Sequence, residues 1–209
     1  MATGYLDIAF TPSVEAAQAS NGSAGLYDKM RAMRMTTRLG PAEEDFITRR
    51  DSLYLASAGE TGWPYVQHRG GPAGFVKVID DKTLAFADFR GNRQYISLGN
   101  TTANDRVSLF LMDYPNRRRL KIYARLEVRD LSADPGLAER IVLAGYRAIP
   151  ERAMVFHIEA FDWNCPQHIS PRFTEAEIDQ AVQPLREQLA ALEAENRALK
   201  DRLASSGQG

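Results

Sequence analysis

Residues 52–71 read SLYLASAGETGWPYVQHRGG. Residues 52–57 and 64–68 have strand-like sequence, and Gly59-Glu60-Thr61-Gly62 between them is a turn, so the stretch is a β-hairpin. Its end raises a question, because Gln67, His68 and Arg69 run straight into Gly70-Gly71-Pro72. Glycine weakens a strand but lets another group approach the backbone, and arginine offers a planar fork that matches phosphate oxygens. An anion site would use both. Gly-Gly-Pro is equally the way a chain bulges or turns at a barrel corner, so two readings stand at this point.

Working outward, residues 75–79 and 83–87 flank the polar turn Asp80-Asp81-Lys82 and form a second hairpin. Residues 106–112 and 119–128 add two strands joined around Asp113-Tyr114-Pro115-Asn116, and 153–160 closes the set after a helix over 135–148. Ahead of the first hairpin, Gly40-Pro41 followed by Glu43, Glu44 and Asp45 starts a helix that runs to about residue 50, with acids where the macrodipole favours them. About six strands in hairpin order with few helices make a mainly β fold of the α+β class, an antiparallel barrel or sandwich. Residues 1–40 form an N-terminal arm with short helices at most, in which Met30, Met33 and Met35 pack against the main domain or, as the alternative, supply an adaptable contact surface.

The chain has 209 residues, 44% of them hydrophobic, and a net charge of −1. That is enough for one sizeable core and gives no global attraction to nucleic acid or an anionic membrane. No run approaches the roughly 18 apolar residues of a spanning helix. Neither a signal-like start nor cysteine pairing is present, Cys165 being the one cysteine, which points to a cytoplasmic protein. His68, His157 and His168 are not spaced as metal ligands.

Residues 174–209 form a separate helical segment. Leu185, Leu189, Leu192, Asn196, Leu199 and Leu203 fall on alternating steps of four and three, a heptad seam with a polar residue inside it. Across a parallel two-stranded coil that asparagine can bond its counterpart and fix register, and Glu195 would face Lys200 of the partner subunit. The alternative is an amphipathic helix packed on its own domain. Pro184 is expected to start this helix and separate it from an earlier one opened by the capping box Thr174-Glu175-Ala176-Glu177.

A second stretch with glycine and arginine follows the second hairpin: Asp88-Phe89-Arg90-Gly91-Asn92-Arg93-Gln94, ahead of a short helix over 94–98. Strand, glycine loop and helix start bring free backbone N–H groups and arginines together, which suits a phosphate. With these residues in view, the chain resembles the pyridoxamine 5'-phosphate oxidase-like FMN-binding split-barrel family. The likeness rests on four pieces in order: GWPYVQHRGG at 62–71, FADFRGNRQ at 86–94, DRVSLFL at 105–111 and WNCPQH at 163–168. It implies a six-stranded antiparallel split β-barrel over 41–173 and a homodimer enclosing FMN at its interface.

Carried over by position, the resemblance gives Arg69, with Gly70 and Gly71, a place beside the flavin, and Ala87 and Asp88 contacts to it. Asn92, Arg93 and Gln94 match the triplet that grips the FMN phosphate, with glutamine where the family has lysine. Arg119 falls near the isoalloxazine, where positive charge favours the reduced flavin, and Trp163 matches an aromatic residue lent by the partner. The family's C-terminal arginine and histidine that recognise pyridoxal phosphate are missing, so vitamin B6 oxidation is not implied. His68 and His168 are candidate proton donors or structural hydrogen-bonding residues, and Cys165 a redox thiol or a small buried residue. The expected function is an FMN-dependent oxidoreductase acting on a small organic molecule. The alternatives are a flavin carrier without turnover, or the same barrel holding haem or a deazaflavin.

Overall fold

The computed structural model describes residues 4–27, 37–163 and 166–206. They divide into two compact units, Met1–His168 and Ile169–Gly209. Met30, Met33, Met35, Asn164 and Cys165 lie outside the described residues, and with them the expectations for the methionine surface and the thiol. Among the described residues no helix is long and apolar enough to cross a membrane.

In the first unit, seven strands form one antiparallel sheet: β1 (Ser52–Ala58), β2 (Pro64–Gly70), β3 (Lys77–Asp80), β4 (Thr83–Phe89), β5 (Arg106–Asp113), β6 (Arg118–Arg129) and β7 (Pro150–Trp163). Their order is β2-β1-β5-β6-β7-β4-β3. The resemblance implies six strands and the sheet has seven, each matching a stretch read from the sequence; the shortest, β3, has four residues and pairs only with β4 at the sheet edge. Phe75 and Val76, expected to begin that strand, sit in the turn before it with both side chains buried.

Alternation builds the interior. Leu53 and Leu55 of β1, Leu84 and Phe86 of β4, Leu109 and Leu111 of β5, and Leu120 and Ile122 of β6 all join one buried cluster. Phe86 stacks on Phe156 with ring centroids 5.2 Å apart and meets Phe75 at 5.5 Å. On β7 the interior row is Met154, Phe156 and Ile158, then Phe161 and Trp163, so the phase shifts by one residue. A register break opposite Tyr123 and Ala124 accommodates the extra residue, Glu159, as a β-bulge.

Helix α3 (Pro41–Thr48), with Gly40 N–H bonded to Glu43 and Phe46 and Ile47 buried, closes one end of this core. Of the N-terminal arm, α1 (Tyr5–Ala9) packs on the sheet, with Tyr5 stacked on Tyr123 at 4.6 Å, and α2 (Pro12–Ser20) buries no side chain. Helix α4 (Ile96–Ala103) is tied to the first hairpin by Ser97 Oγ donating to Gln67 at 2.8 Å and Asn100 Nδ2 donating to Ser57 at 3.0 Å. Helix α5 (Pro135–Ile141) covers the outer face of β4 and β7, and is shorter than the stretch 135–148 expected.

The second unit carries α6 (Glu175–Ser206), one continuous helix with Pro184 inside it. The capping box is present, Thr174 Oγ1 accepting from Glu177 N–H and Glu177 Oε2 from Thr174 N–H. Pro184 therefore does not begin a helix. Proline removes one backbone bond but fits a helix whose lost carbonyl partner can face water, as it does on this exposed face.

Truncating the centre of the aromatic stack tests the core. Phe156→Ala should cost about 3–5 kcal/mol, read as a lower denaturant midpoint with an unchanged slope.

Candidate functional site

On β4 the interior row runs Leu84, Phe86 and then Asp88, a carboxylate only 6% exposed. Charge that deep needs compensation. It comes from two strands: Arg69 of β2 donates to Asp88 at 2.6 Å, and Arg152, directly opposite Asp88 on β7, donates at 3.2 Å. Because β2 is one edge of the sheet and β4 lies next to the other, the Arg69–Asp88 pair bridges the split where the rolled sheet fails to close. Burial pushes the Asp88 carboxyl above its ordinary value while the two guanidiniums pull it part of the way back.

Two adjoining clefts open at this bridge and share Arg69 and Asp88 in their walls. One, of about 240 Å³, is lined further by Gln67, Asn92, Arg93 and Tyr95. The other, of about 270 Å³, is lined by His68, Gly70, the strand at Ala87, Arg90 and Tyr146. Between them runs the loop at 90–95. Arg93 and Tyr95 both have left-handed backbone, φ 62° and 53°, which is costly for side chains other than glycine. Tyr95 precedes α4 and gives it no side-chain cap, so the first N–H groups of that helix keep their hydrogen-bonding capacity, and Tyr95 and Leu98 both line the first cleft. Arg93 is exposed and held at 3.3 Å by the Tyr95 hydroxyl, itself bonded to Glu151.

The remaining expected residues divide. Gly71 has a packing reason to be glycine, since a Cβ would lie 2.9 Å from that of Phe75. Gly70 is confined by His68 and the Asp51 carbonyl. The Ala87 side chain is buried in the cluster under α5, which leaves only its backbone to the cleft. Asn92 accepts from Gln94 N–H at 3.2 Å, and the Gln94 side chain is exposed. His68 is exposed, edge-on to Tyr54 at 5.8 Å. His168 sits in a turn with φ 61° and lines neither cleft.

Arg119 and Trp163 are not at the clefts. Trp163 pairs with Leu120 at the far end of β7, eleven positions from Arg152 and roughly 35 Å along the strand. Its indole donates to Glu43 at 2.7 Å, and its ring meets Phe46 and lies under the Arg118 guanidinium. Arg119, opposite Met112, faces outward over Phe110, with a buried Nε that has no hydrogen-bond partner among the described residues. Gln67, Tyr95, Glu151 and Arg152 complete the clefts although the sequence does not single them out. Only the pairing of β4 with β7 puts Arg152 on Asp88. A larger hollow, about 520 Å³ between Ala56, Val107, Tyr123 and Arg125, contains none of the expected residues.

The family model described as pyridoxamine 5'-phosphate oxidase matches residues 39–163. No curated protein matches the chain. Among solved structures, an FMN-binding protein from Syntrophomonas wolfei is 15% identical, with 71% of this chain and 97% of that one covered and a TM-score of 0.45. A FAD-binding protein from Mesorhizobium loti is 19% identical, covering 60% and 94%, with a TM-score of 0.39. General stress protein 26 from Bacillus anthracis is 12% identical, covering 62% and 92%, at 0.44.

Removing one partner of the bridge should expose its role. Arg69→Met is expected to destabilise by about 3 kcal/mol, and adding Asp88→Asn should cost less than the sum of the two single changes. The pH dependence has a defined sign. With its folded pKa raised, Asp88 favours the fold while protonated, and that contribution is lost as pH rises through the folded value. The stability of the parent relative to Asp88→Asn should therefore fall with rising pH just above the ordinary carboxylate range. A pH-independent difference in unfolding free energy would contradict the assignment.

Proposed function

The chain belongs to the pyridoxamine 5'-phosphate oxidase family, and from that premise we propose that it binds FMN at the bridged clefts and acts as an FMN-dependent oxidoreductase on a small organic molecule. What carries the proposal is the uncapped start of α4 beside Arg93 and Asn92, on a loop held in left-handed backbone. A phosphate there meets backbone donors, the positive end of a helix and an exposed guanidinium in one place. Asn92 and Arg93 would hold the phosphate, and the Ala87 backbone and Arg69 would flank the ring system. Gln94 brings no charge where lysine would, so Arg93 takes the larger share of the phosphate contact.

Bound FMN supplies the electron-transfer chemistry. The chain's own part is to position and to exclude water. Arg69 is fixed by Asp88 and so presents a rigid edge to the cleft. His68, exposed on the second cleft wall, can hold or deliver a proton at a ring nitrogen.

The functional unit is a homodimer. Support comes from an outer sheet face that is apolar without a partner: Tyr54 and Val66 are exposed there, and Ala56 and Ala58 line the large hollow beside them. Arg119 belongs to the same outer face, opposite Met112, so only a second copy can bring it to a cleft. A single cysteine in 209 residues suits a reducing compartment such as the cytoplasm.

Fluorescence titration separates the parts of this proposal. FMN should be quenched on binding, and Arg93→Ala should weaken it by about 2 kcal/mol, about 30-fold. Riboflavin, lacking the phosphate, should bind parent and variant alike. Equal FMN affinity in both proteins would remove the phosphate assignment. Turnover is tested by anaerobic reduction with NAD(P)H, followed by air and a panel of small oxidants; reoxidation without substrate-dependent turnover would make the protein a flavin carrier.

A further inference from the structure

Because α6 runs through Pro184 without a break, it joins apolar positions that a helix starting at that proline would keep apart. Ile178 and Val182 precede Leu185 on the same alternation of four and three. Residues 178, 185, 192 and 199 then occupy the d sites of a heptad, and 182, 189, 196 and 203 the a sites. We propose that α6 pairs with α6 of a second copy of this chain as a parallel two-stranded coiled coil over residues 178–203, with Asn196 against Asn196 of the partner subunit.

Several observations favour this occupant. Leu185, Leu189, Leu192, Leu199 and Leu203 are 48–72% exposed and form one stripe, while the remaining positions are mainly charged or alanine. A lone helix leaves that stripe in water, and a second identical helix buries it along its whole length, roughly 39 Å. Asparagine at an a site selects two strands in parallel, where each amide meets its twin. An antiparallel pair would set Asn196 against leucine and leave its amide unsatisfied. Charge agrees: Glu195 at g faces Lys200 of the partner subunit at e, and Gln188 faces Glu193 of the partner subunit without repulsion. Pro184 takes a c site on the outer face, and Gln180, whose carbonyl loses its donor, takes an f site, so water can satisfy the gap and the seam stays apolar.

The pairing does not rest on flavin binding, and its test does not use flavin. In full-length protein with Cys165→Ser, Leu203→Cys places a thiol at an a site and Ala194→Cys places one on the outer face. Under mild oxidation the first should form an interchain disulfide several times faster than the second, and Leu192→Glu added to it should abolish the difference. Equal cross-linking rates in variants of parental helicity would overturn the proposal, as would cross-linking that survives Leu192→Glu. Leu203→Cys copies that link only to Ile178→Cys copies would mean antiparallel pairing and would overturn it too.

Discussion

A carboxylate at the end of an interior strand row is expensive unless cations reach it, and Asp88 is reached by Arg69 from one sheet edge and by Arg152 from the neighbouring strand. Backbone pairing cannot join β2 to β4, since the strand order leaves them at opposite sides of an open sheet. A charged bridge does so through side chains. Replacing such a triad with apolar residues can leave stability unchanged or raise it, so its value lies in fixing where the two edges meet. Both clefts use that junction as a wall, and neither would keep its shape if the edges slid.

Strand β7 connects this junction to the rest of the barrel. Near its start it supplies Glu151 and Arg152 to the first cleft, and at its end it commits Trp163 to the plug formed by Glu43 and Phe46. The two ends answer different needs, one electrostatic and one apolar. A single copy thus carries the bridged clefts at one end of β7 and, on the outer sheet face, exposed apolar side chains such as Tyr54 and Val66.

Much of the barrel was legible because alternation in β1, β5 and β6 is regular, and the hairpin over 52–71 has its turn written in glycines. Less visible was where β3 begins, since it has only four residues and its apolar neighbours Phe75 and Val76 belong to a buried turn. The loop at 88–94 could be read as a phosphate site from arginine, glycine and a helix start. Its partners Glu151 and Arg152 could not, because sequence does not state that β4 lies beside β7. At Gly71 two readings stood side by side in the sequence, room for a cofactor and a tight turn, and only the fold shows Phe75 packed where a side chain would go. Pro184 misled for a physical reason as well, since its usual penalty as a helix breaker is reduced on a solvated face.

The bulge at Glu159 divides β7 into two reading frames. Upstream of it even-numbered residues face the core; downstream odd-numbered ones do. Deleting Glu159 would merge the frames with Phe161 and Trp163 still inside, whereas pairing Glu159 in a bulge-free strand would turn both outside and drive Asp162 into the apolar interior. Point substitutions in this strand are local events, but a one-residue slip of register is not: the arm packed on Ala160 and the plug anchored by Trp163 would both lose their seats.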